Sequence, residues 1–242
     1  TLADANERRD WHIWADFGAA LIRQARRLYA NDDIGVQLRQ TAYVLDATVI
    51  ELCLSLFAWA HAQRRSGGIK LHTLMDLRGN IPCFLRVSST KASDASTLDH
   101  LIIEPGAYYV MDRGYNDYQR LYQLQQHHAS FVVRAKNNLT TVRRHSCPVD
   151  RMTGLRSDQI VMLKDRRTRA KYPQPLRRVS FFDTEQRRRL VFMTNDLVLP
   201  ALSVAQLYRC RWQIELFFKW IKQHLRIKHF FGTSANAVKT QL

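Results

Sequence analysis

The stretch Tyr208–Phe230, YRCRWQIELFFKWIKQHLRIKHF, carries the densest chemistry in the chain. Tyr208, Arg211, Glu215 and Lys222 stand at spacings i, i+3, i+7 and i+14. On a helix turning about 100° per residue they fall within a sector of roughly 60°. One face then holds a carboxylate flanked by two cations and a phenol. Beside it runs an apolar stripe of Leu207, Ile214, Phe217, Phe218, Ile221 and Leu225, which anchors such a helix on a core. A lone acid at the edge of a buried stripe, bracketed by phosphate-binding groups, suits metal-dependent chemistry on a phosphodiester. The same spacing also fits a salt-bridged amphipathic helix, in which the i, i+4 pair Arg211 and Glu215 contributes only about 0.2–0.5 kcal/mol.

Two earlier segments bear on that choice. Tyr43-Val44-Leu45-Asp46 and Tyr108-Tyr109-Val110-Met111-Asp112 are apolar runs that end in aspartate. Each reads as a short buried strand, rich in β-branched and aromatic residues. An isolated buried carboxylate is costly, so an acid in such a place needs a reason. One alone is commonly a helix cap. Asp46 and Asp112 together with Glu215 suggest three carboxylates converging on divalent metal, whose hard oxygen ligands suit Mg²⁺ or Mn²⁺.

The order Asp46, Asp112, Glu215, with Tyr-x2-Arg-x3-Glu-x6-Lys around the last acid, resembles bacterial insertion-sequence transposases of the DDE superfamily, more narrowly the insertion-sequence four family. The segments YVLDATVIELCLSLFAWA, KLHTLMDLRGNIP, YVMDRGYNDYQRLYQL and FVVRAKNN carry the same resemblance, which covers nearly the whole chain. Related sequences often have Ser or Thr after the first Asp and Pro before the Trp; here Ala47 and Ala58 stand there. The resemblance implies catalysis by Asp46, Asp112 and Glu215 through two Mg²⁺ (or Mn²⁺) ions. It implies that Tyr208, Arg211 and Lys222 hold phosphates near the cut. The expected reaction is DNA strand cleavage and transfer at insertion-sequence ends. Double-stranded DNA is the expected partner, bound by a homodimer in the bacterial cytoplasm.

Composition agrees. The 242 residues can bury one good core with an appended lobe. No apolar run reaches the ~18 residues of a membrane span, and no signal peptide is visible. Cys53, Cys83, Cys147 and Cys210 are scattered without a C-x-x-C pair, so reduced thiols are expected. The formal net charge of +16 favours a polyanionic partner. Between Arg134 and Arg189 stand 16 Lys and Arg against 5 Asp and Glu, a net of +11. A block this dense suits a phosphate backbone, although a solvated basic face has the same composition. Within it Arg187 and Arg189 are expected to act together, because alternate side chains of a strand share a face. Arg113, in the turn after Asp112, is a further candidate for DNA contact.

Along the chain, Glu7 to about Ala30 reads as one helix, with Trp14, Phe17, Leu21, Ala25 and Leu28 on one face. Ile69–Leu77 and Pro82–Ser88 form a hairpin around Arg78-Gly79-Asn80. A helix capped by Ser93 or Asp94 runs to Ile102 or Ile103, and another capped by Asn116 or Asp117 runs to His127. Phe131–Lys136 is a fifth strand. Gln159–Lys164, Arg177–Phe182 and Arg188–Thr194 are strands of a β-rich segment, the last two joined at Asp183-Thr184-Glu185-Gln186. A long helix runs from Ser203, its N-cap, to about Arg226, and a last one starts near Ser234.

This element order is that of a ribonuclease-H-like α/β fold: a mixed sheet flanked by helices, with a β-rich insertion between the second and third acids. The expected division is a helical N-terminal segment 1–38, the tail of a DNA-binding region; a catalytic domain 39–136 with 201–242; and a basic insertion 137–200. Trp11, Trp14, Trp59, Trp212 and Trp220 all lie outside the insertion, which speaks against a Trp-clamped DNA hairpin. Tyr172, Phe181 and Phe182 could stack on a flipped base or pack in a core. Two other readings share the residues: a ribonuclease-H-like nuclease that cuts without joining, and a DNA-binding remnant that does not cut.

Overall fold

The computed structural model describes residues 1–52, 67–224 and 230–241; Cys53, Ala58, Trp59, Leu225 and His229 lie outside them. In chain order the elements begin with α1 (Leu2–Arg8), α2 (His12–Leu28), β1 (Ala42–Leu52), β2 (Gly67–Asp76), β3 (Ile81–Ser89), β4 (Tyr108–Met111), α3 (Tyr118–Gln126) and β5 (Ser130–Arg134). They continue with β6 (Thr141–Cys147), β7 (Leu155–Leu163), α4 (Arg166–Lys171), β8 (Leu176–Asp183), β9 (Arg188–Thr194), α5 (Ala201–Arg209), α6 (Trp212–His224) and α7 (Ala235–Gln241).

Packing divides the chain into two units. The first comprises Thr1–Asp32, Asp46–Asp94 and Trp212–Leu242, and the second Asp33–Leu45 and Ala95–Arg211. The first unit has strand order β3-β2-β1 and the second β1-β4-β5-β9-β8-β7-β6, β1 running through both. The parallel neighbours β1-β4-β5 of the second unit, in a mixed sheet with flanking helices, are the ribonuclease-H-like α/β arrangement that the sequence predicts.

In the second unit β4 pairs in parallel with β1, from Ala42 opposite Tyr108 to Leu45 opposite Met111. It pairs in parallel with β5 on its other side, from Tyr108 opposite Ser130 to Met111 opposite Val133. Val44, Leu45, Tyr109, Val110, Met111, Phe131, Val132 and Val133 are all 0% exposed. A parallel strand is covered on both faces, so its sequence is an unbroken apolar run; that is why these three segments were legible. α3 starts at Asp117, whose carboxylate accepts from the backbone N–H groups of Gln119 and Arg120, as the capping pattern predicts.

The β-rich segment extends the same sheet. β9 pairs antiparallel with β5, with Val132 opposite Thr194 and Arg134 opposite Phe192, and β8, β7 and β6 follow antiparallel in turn. This pairing satisfies the backbone groups that β5 would otherwise expose at an edge. The edge passes instead to β6, which the sequence reading missed. Arg143, Arg144 and His145 are exposed there and erase the apolar alternation on which the reading depended. Short α4, capped by the Asp165 carboxylate on the Thr168 N–H, was also missed.

Four expectations are corrected. The helix expected from Glu7 to Ala30 is two helices: α1 ends at an extended Arg9, and Asp10 caps the backbone N–H of His12. No residue of α2 is buried, and Trp14, Phe17, Leu21 and Leu28 are exposed. Asp94–His100 is a 3-10 helix rather than an α-helix reaching Ile103. The long helix from Ser203 is broken. Pro200, not Ser203, precedes its first turn, and α5 tightens into i→i−3 bonds from Cys210 to Leu207 and from Arg211 to Tyr208 before α6 restarts at Trp212. Finally, Arg187 lies in the β8–β9 turn with φ 48°, so it does not share a strand face with Arg189.

Of the sixteen cations from Arg134 to Arg189, all among the described residues, Arg177 is the buried one. It forks onto Asp158 across β7 and β8, Nε to Oδ1 at 2.8 Å and Nη2 to Oδ2 at 2.7 Å, and its remaining terminal nitrogen donates to the Leu199 carbonyl. Arg177→Met should leave Asp158 buried and unpaired, at a cost of about 3–5 kcal/mol. Urea unfolding of the variant checks this. The double variant Arg177→Met/Asp158→Leu should recover most of the loss, and an unchanged midpoint in the single variant would refute the pair's role.

Candidate active site

Asp112 follows the last residue of β4, in extended conformation (φ −79°, ψ 174°), and leads into a 3-10 turn, Arg113–Tyr115. Tyr115 is buried and its N–H donates to the Asp112 carbonyl at 3.1 Å, which fixes the backbone of the turn. Asn116 ties the turn to the end of β5: its side-chain amide donates to the carbonyls of Arg113 at 3.0 Å and Arg134 at 2.7 Å. The Asp112 carboxylate is half-buried, while Arg113 is exposed.

Tyr208 reaches this carboxylate from the last turn of α5. Its hydroxyl donates to Asp112 Oδ1 at 3.1 Å. Its ring is tilted 36° against Phe192 of β9 at 4.6 Å between centroids, and the residue is 5% exposed. Arg211 stands over the same ring, its guanidinium carbon 5.8 Å from the centroid. Burial, and then the charge of Asp112, push the phenol up to about 12, so it remains a donor at neutral pH.

In the first unit, Asp46 is half-buried on β1 and accepts from the Ala47 N–H at 2.8 Å. Glu215 is exposed in the first turn of α6, and Lys222 lies two turns further on the same helix, half-buried. The break at Cys210 and Arg211 removes the continuous helix on which the four-residue face was built. Glu215 and Lys222 keep their shared side; Tyr208 and Arg211 belong to the second unit.

A second feature of that unit is a cleft of about 330 Å³. Arg134, Lys136, Arg178 and Arg189 line it, and no carboxylate does. Burial, and then Arg189, hold the Arg178 guanidinium below its usual range. Two cations held together and partly desolvated gain from an anion between them. Arg189 is aimed by a 2.8 Å bond from Nε to Ser180 Oγ. On the same sheet face Arg156 lies 5.2 Å over the ring of Phe182. The sequence reading named Arg189 but treated Arg134, Lys136 and Arg178 only as part of a charged block. The Arg-x-Lys spacing just after a buried strand was the available signal.

The other aromatic candidates divide. Tyr172 is fully buried, edge-on to Tyr118, Tyr122 and Phe131, and hydrogen-bonds Gln125. Phe181 is buried as well. Both are core residues, and Phe182 remains half-exposed beneath Arg156. Cys83, Cys147 and Cys210 are free thiols. Among the described residues no helix is long and apolar enough to cross a membrane.

The chain matches the family described as the transposase DDE domain over residues 37–242. It is 36% identical over 249 residues to the transposase y4zB of Sinorhizobium fredii, covering 100% of this chain and 67% of the relative. It is 27% identical over 203 residues to the transposase of insertion sequence element IS5377 of Geobacillus stearothermophilus, covering 82% of this chain and 52% of that one. Among solved structures it is similar to a piggyBac transposase synaptic complex with hairpin DNA, at TM-score 0.46 and 8% identity, covering 83% of this chain and 45% of that chain. The chain thus spans about two thirds of the first relative and about half of the second.

Proposed function

This chain belongs to the family of the transposase DDE domain, and we propose that it cleaves and joins DNA strands at insertion-sequence ends using Asp46, Asp112 and Glu215. The observation that carries this reading is Asp112 itself. It is a carboxylate at the end of a fully buried parallel strand, held by the tyrosine that opens the Tyr-x2-Arg-x3-Glu-x6-Lys series.

The donor set suits hard divalent cations. Carboxylate oxygens are the ligands that Mg²⁺ and Mn²⁺ prefer, and Tyr208 engages one oxygen of Asp112, leaving Oδ2 available. Asp46, Asp112 and Glu215 would hold two such ions. When bound, these lower the pKa of the attacking water or 3′-hydroxyl and offset charge on the leaving oxygen. The protein's own part is placement. Arg211 can fork onto a phosphate and Lys222 supplies a point charge. Arg113, exposed beside Asp112, can reach the strand at the cut. Arg189, with Arg134, Lys136 and Arg178, carries the backbone across the basic cleft, and exposed Arg187 adds charge at the hairpin tip. Double-stranded DNA is the substrate, a homodimer engages paired ends, and the reaction belongs to the bacterial cytoplasm.

Asp112→Asn should lower strand cleavage by about 10²–10³-fold or more, the scale of losing one charge-stabilising group. DNA affinity should be retained, because the basic surface is untouched. Incubating the chain with Mg²⁺ and DNA bearing the element's ends, then resolving nicked and joined products, tests both variants of the reaction: joining identifies the transposase, and nicking alone a nuclease. Full activity in EDTA would contradict the metal assignment.

Binding should weaken steeply with salt, with a log–log slope near −0.9 per phosphate neutralised. Arg178→Ala with Arg189→Ala should make that slope shallower by about 2, one unit per lost phosphate contact. Arg143→Ala with Arg144→Ala, on the edge strand, should change it less. Equal slopes for the wild type and the cleft variant across a salt titration would remove the cleft from the DNA path.

A further inference from the structure

α2 is amphipathic, yet its apolar side faces away from the unit it belongs to. Arg26 donates from Nε to the carboxylate of buried Asp76 at 3.0 Å, which turns that side of the helix toward the end of β2. At about 100° per residue, Ile13, Trp14, Phe17, Leu21 and Leu28 fall in a sector of roughly 100° on the side opposite Arg26. They are exposed, from 45% at Trp14 to 81% at Leu28. The polar Gln24 stands among them. Single exposed apolar residues need no account, but a contiguous stripe of them marks an interaction surface. The surface continues past the helix. Trp14 also lines a cavity of about 550 Å³, together with Gly18 and Ile22 of α2 and Phe84, Leu85 and Val87 of β3.

The charges beside the stripe point to its occupant. Asp16, Arg23 and Arg27 lie along one flank, within about 40° of one another. All three are exposed, and none forms an ion pair among the described residues. The acid is in the first half of the helix and the two bases are in the second. A second copy of α2, running antiparallel about a two-fold axis near Ala20 and Leu21, would bring like flanks together. Asp16 of one copy then stands level with Ala25 of the other, between Arg23 and Arg27 and about 3 Å along the axis from each. The contact is made twice, because a two-fold interface is self-complementary. A parallel pairing would instead set acid against acid and base against base.

We infer that α2 is a dimerisation helix: its apolar stripe packs antiparallel on the same stripe of a second copy of this chain, with Asp16 of each copy between Arg23 and Arg27 of the other. This rests on the homodimer proposed above and names the surface that forms it.

The test measures the mass of the chain by sedimentation equilibrium, alone and with a DNA duplex bearing the element's ends. The wild type should be a dimer without DNA. Phe17→Glu with Leu21→Glu should raise the dimer dissociation constant by about 100-fold or more, since each charge enters the interface twice. Both positions are exposed, and thermal unfolding checks that the fold is kept. A charge exchange carries the test independently. Asp16→Arg alone, and Arg23→Asp with Arg27→Asp alone, should each weaken self-association by about 10–100-fold through like charges. Mixed in equal amounts, those two variants should form a heterodimer as tight as the wild type. A wild type that is monomeric without DNA would overturn the inference, as would a dimer that the Phe17 and Leu21 substitutions leave intact. In the second case the homodimer stands and its interface lies elsewhere. A wild type that stays monomeric on DNA as well would remove the homodimer itself.

Discussion

Three parallel runs, Val44-Leu45, Tyr109-Val110-Met111 and Phe131-Val132-Val133, are fully enclosed and leave nowhere to put a charge except beyond them. An unpaired carboxylate inside Tyr109-Val110-Met111 or Phe131-Val132-Val133 would lose its hydration with nothing to replace it. Asp112 therefore appears one residue beyond β4, where the chain turns and the carboxylate is half-buried. Asp46 differs: the strand expected to end there runs on to Leu52, and Asp46 stands within β1 where full burial stops after Leu45. The chemistry of the chain is displaced to these positions by the same burial that stabilises the sheet.

The second consequence concerns β5. A buried parallel strand cannot end a sheet without exposing its ladder, and β9 closes it. The strands that follow toward β6 need less cover, and their sequences carry charge that a central strand could not. The one cation taken into the interior there, Arg177, is matched by a bidentate carboxylate. Arg178, its neighbour on β8, points to the opposite face by the period of two and meets Arg189. One strand thus supplies a structural cation and a cleft-lining cation at adjacent positions.

The break between α5 and α6 changes what the Tyr-x2-Arg-x3-Glu-x6-Lys series means physically. Read as one helix, it is a single polar face. With the break, Tyr208 closes α5 against Phe192 and Asp112, and Glu215 opens a new helix. The spacing in the sequence is the same in both cases, because the ladder is interrupted over only two residues. The tightened bonds at Cys210 and Arg211 cost little locally and leave no Gly or Pro as a sign.

The sequence by itself determined the buried apolar runs, the acid that follows β4, the hairpin of β2 and β3, the Asp117 cap and the basic character of the segment between Arg134 and Arg189. Each is a local matter: an apolar run, a turn, a capping side chain or a count of charges. It also carried the family, through Asp46, Asp112 and the Tyr-x2-Arg-x3-Glu-x6-Lys series. Only the tertiary structure decided that Tyr208 holds Asp112, that Arg177 is buried and Arg178 lines a cleft, that β6 is a strand, and that α2 leaves its apolar stripe exposed. These depend on partners distant in the chain or on position at a sheet edge. Periodicity reports which residues share a face of one element; it does not report what, if anything, that face meets.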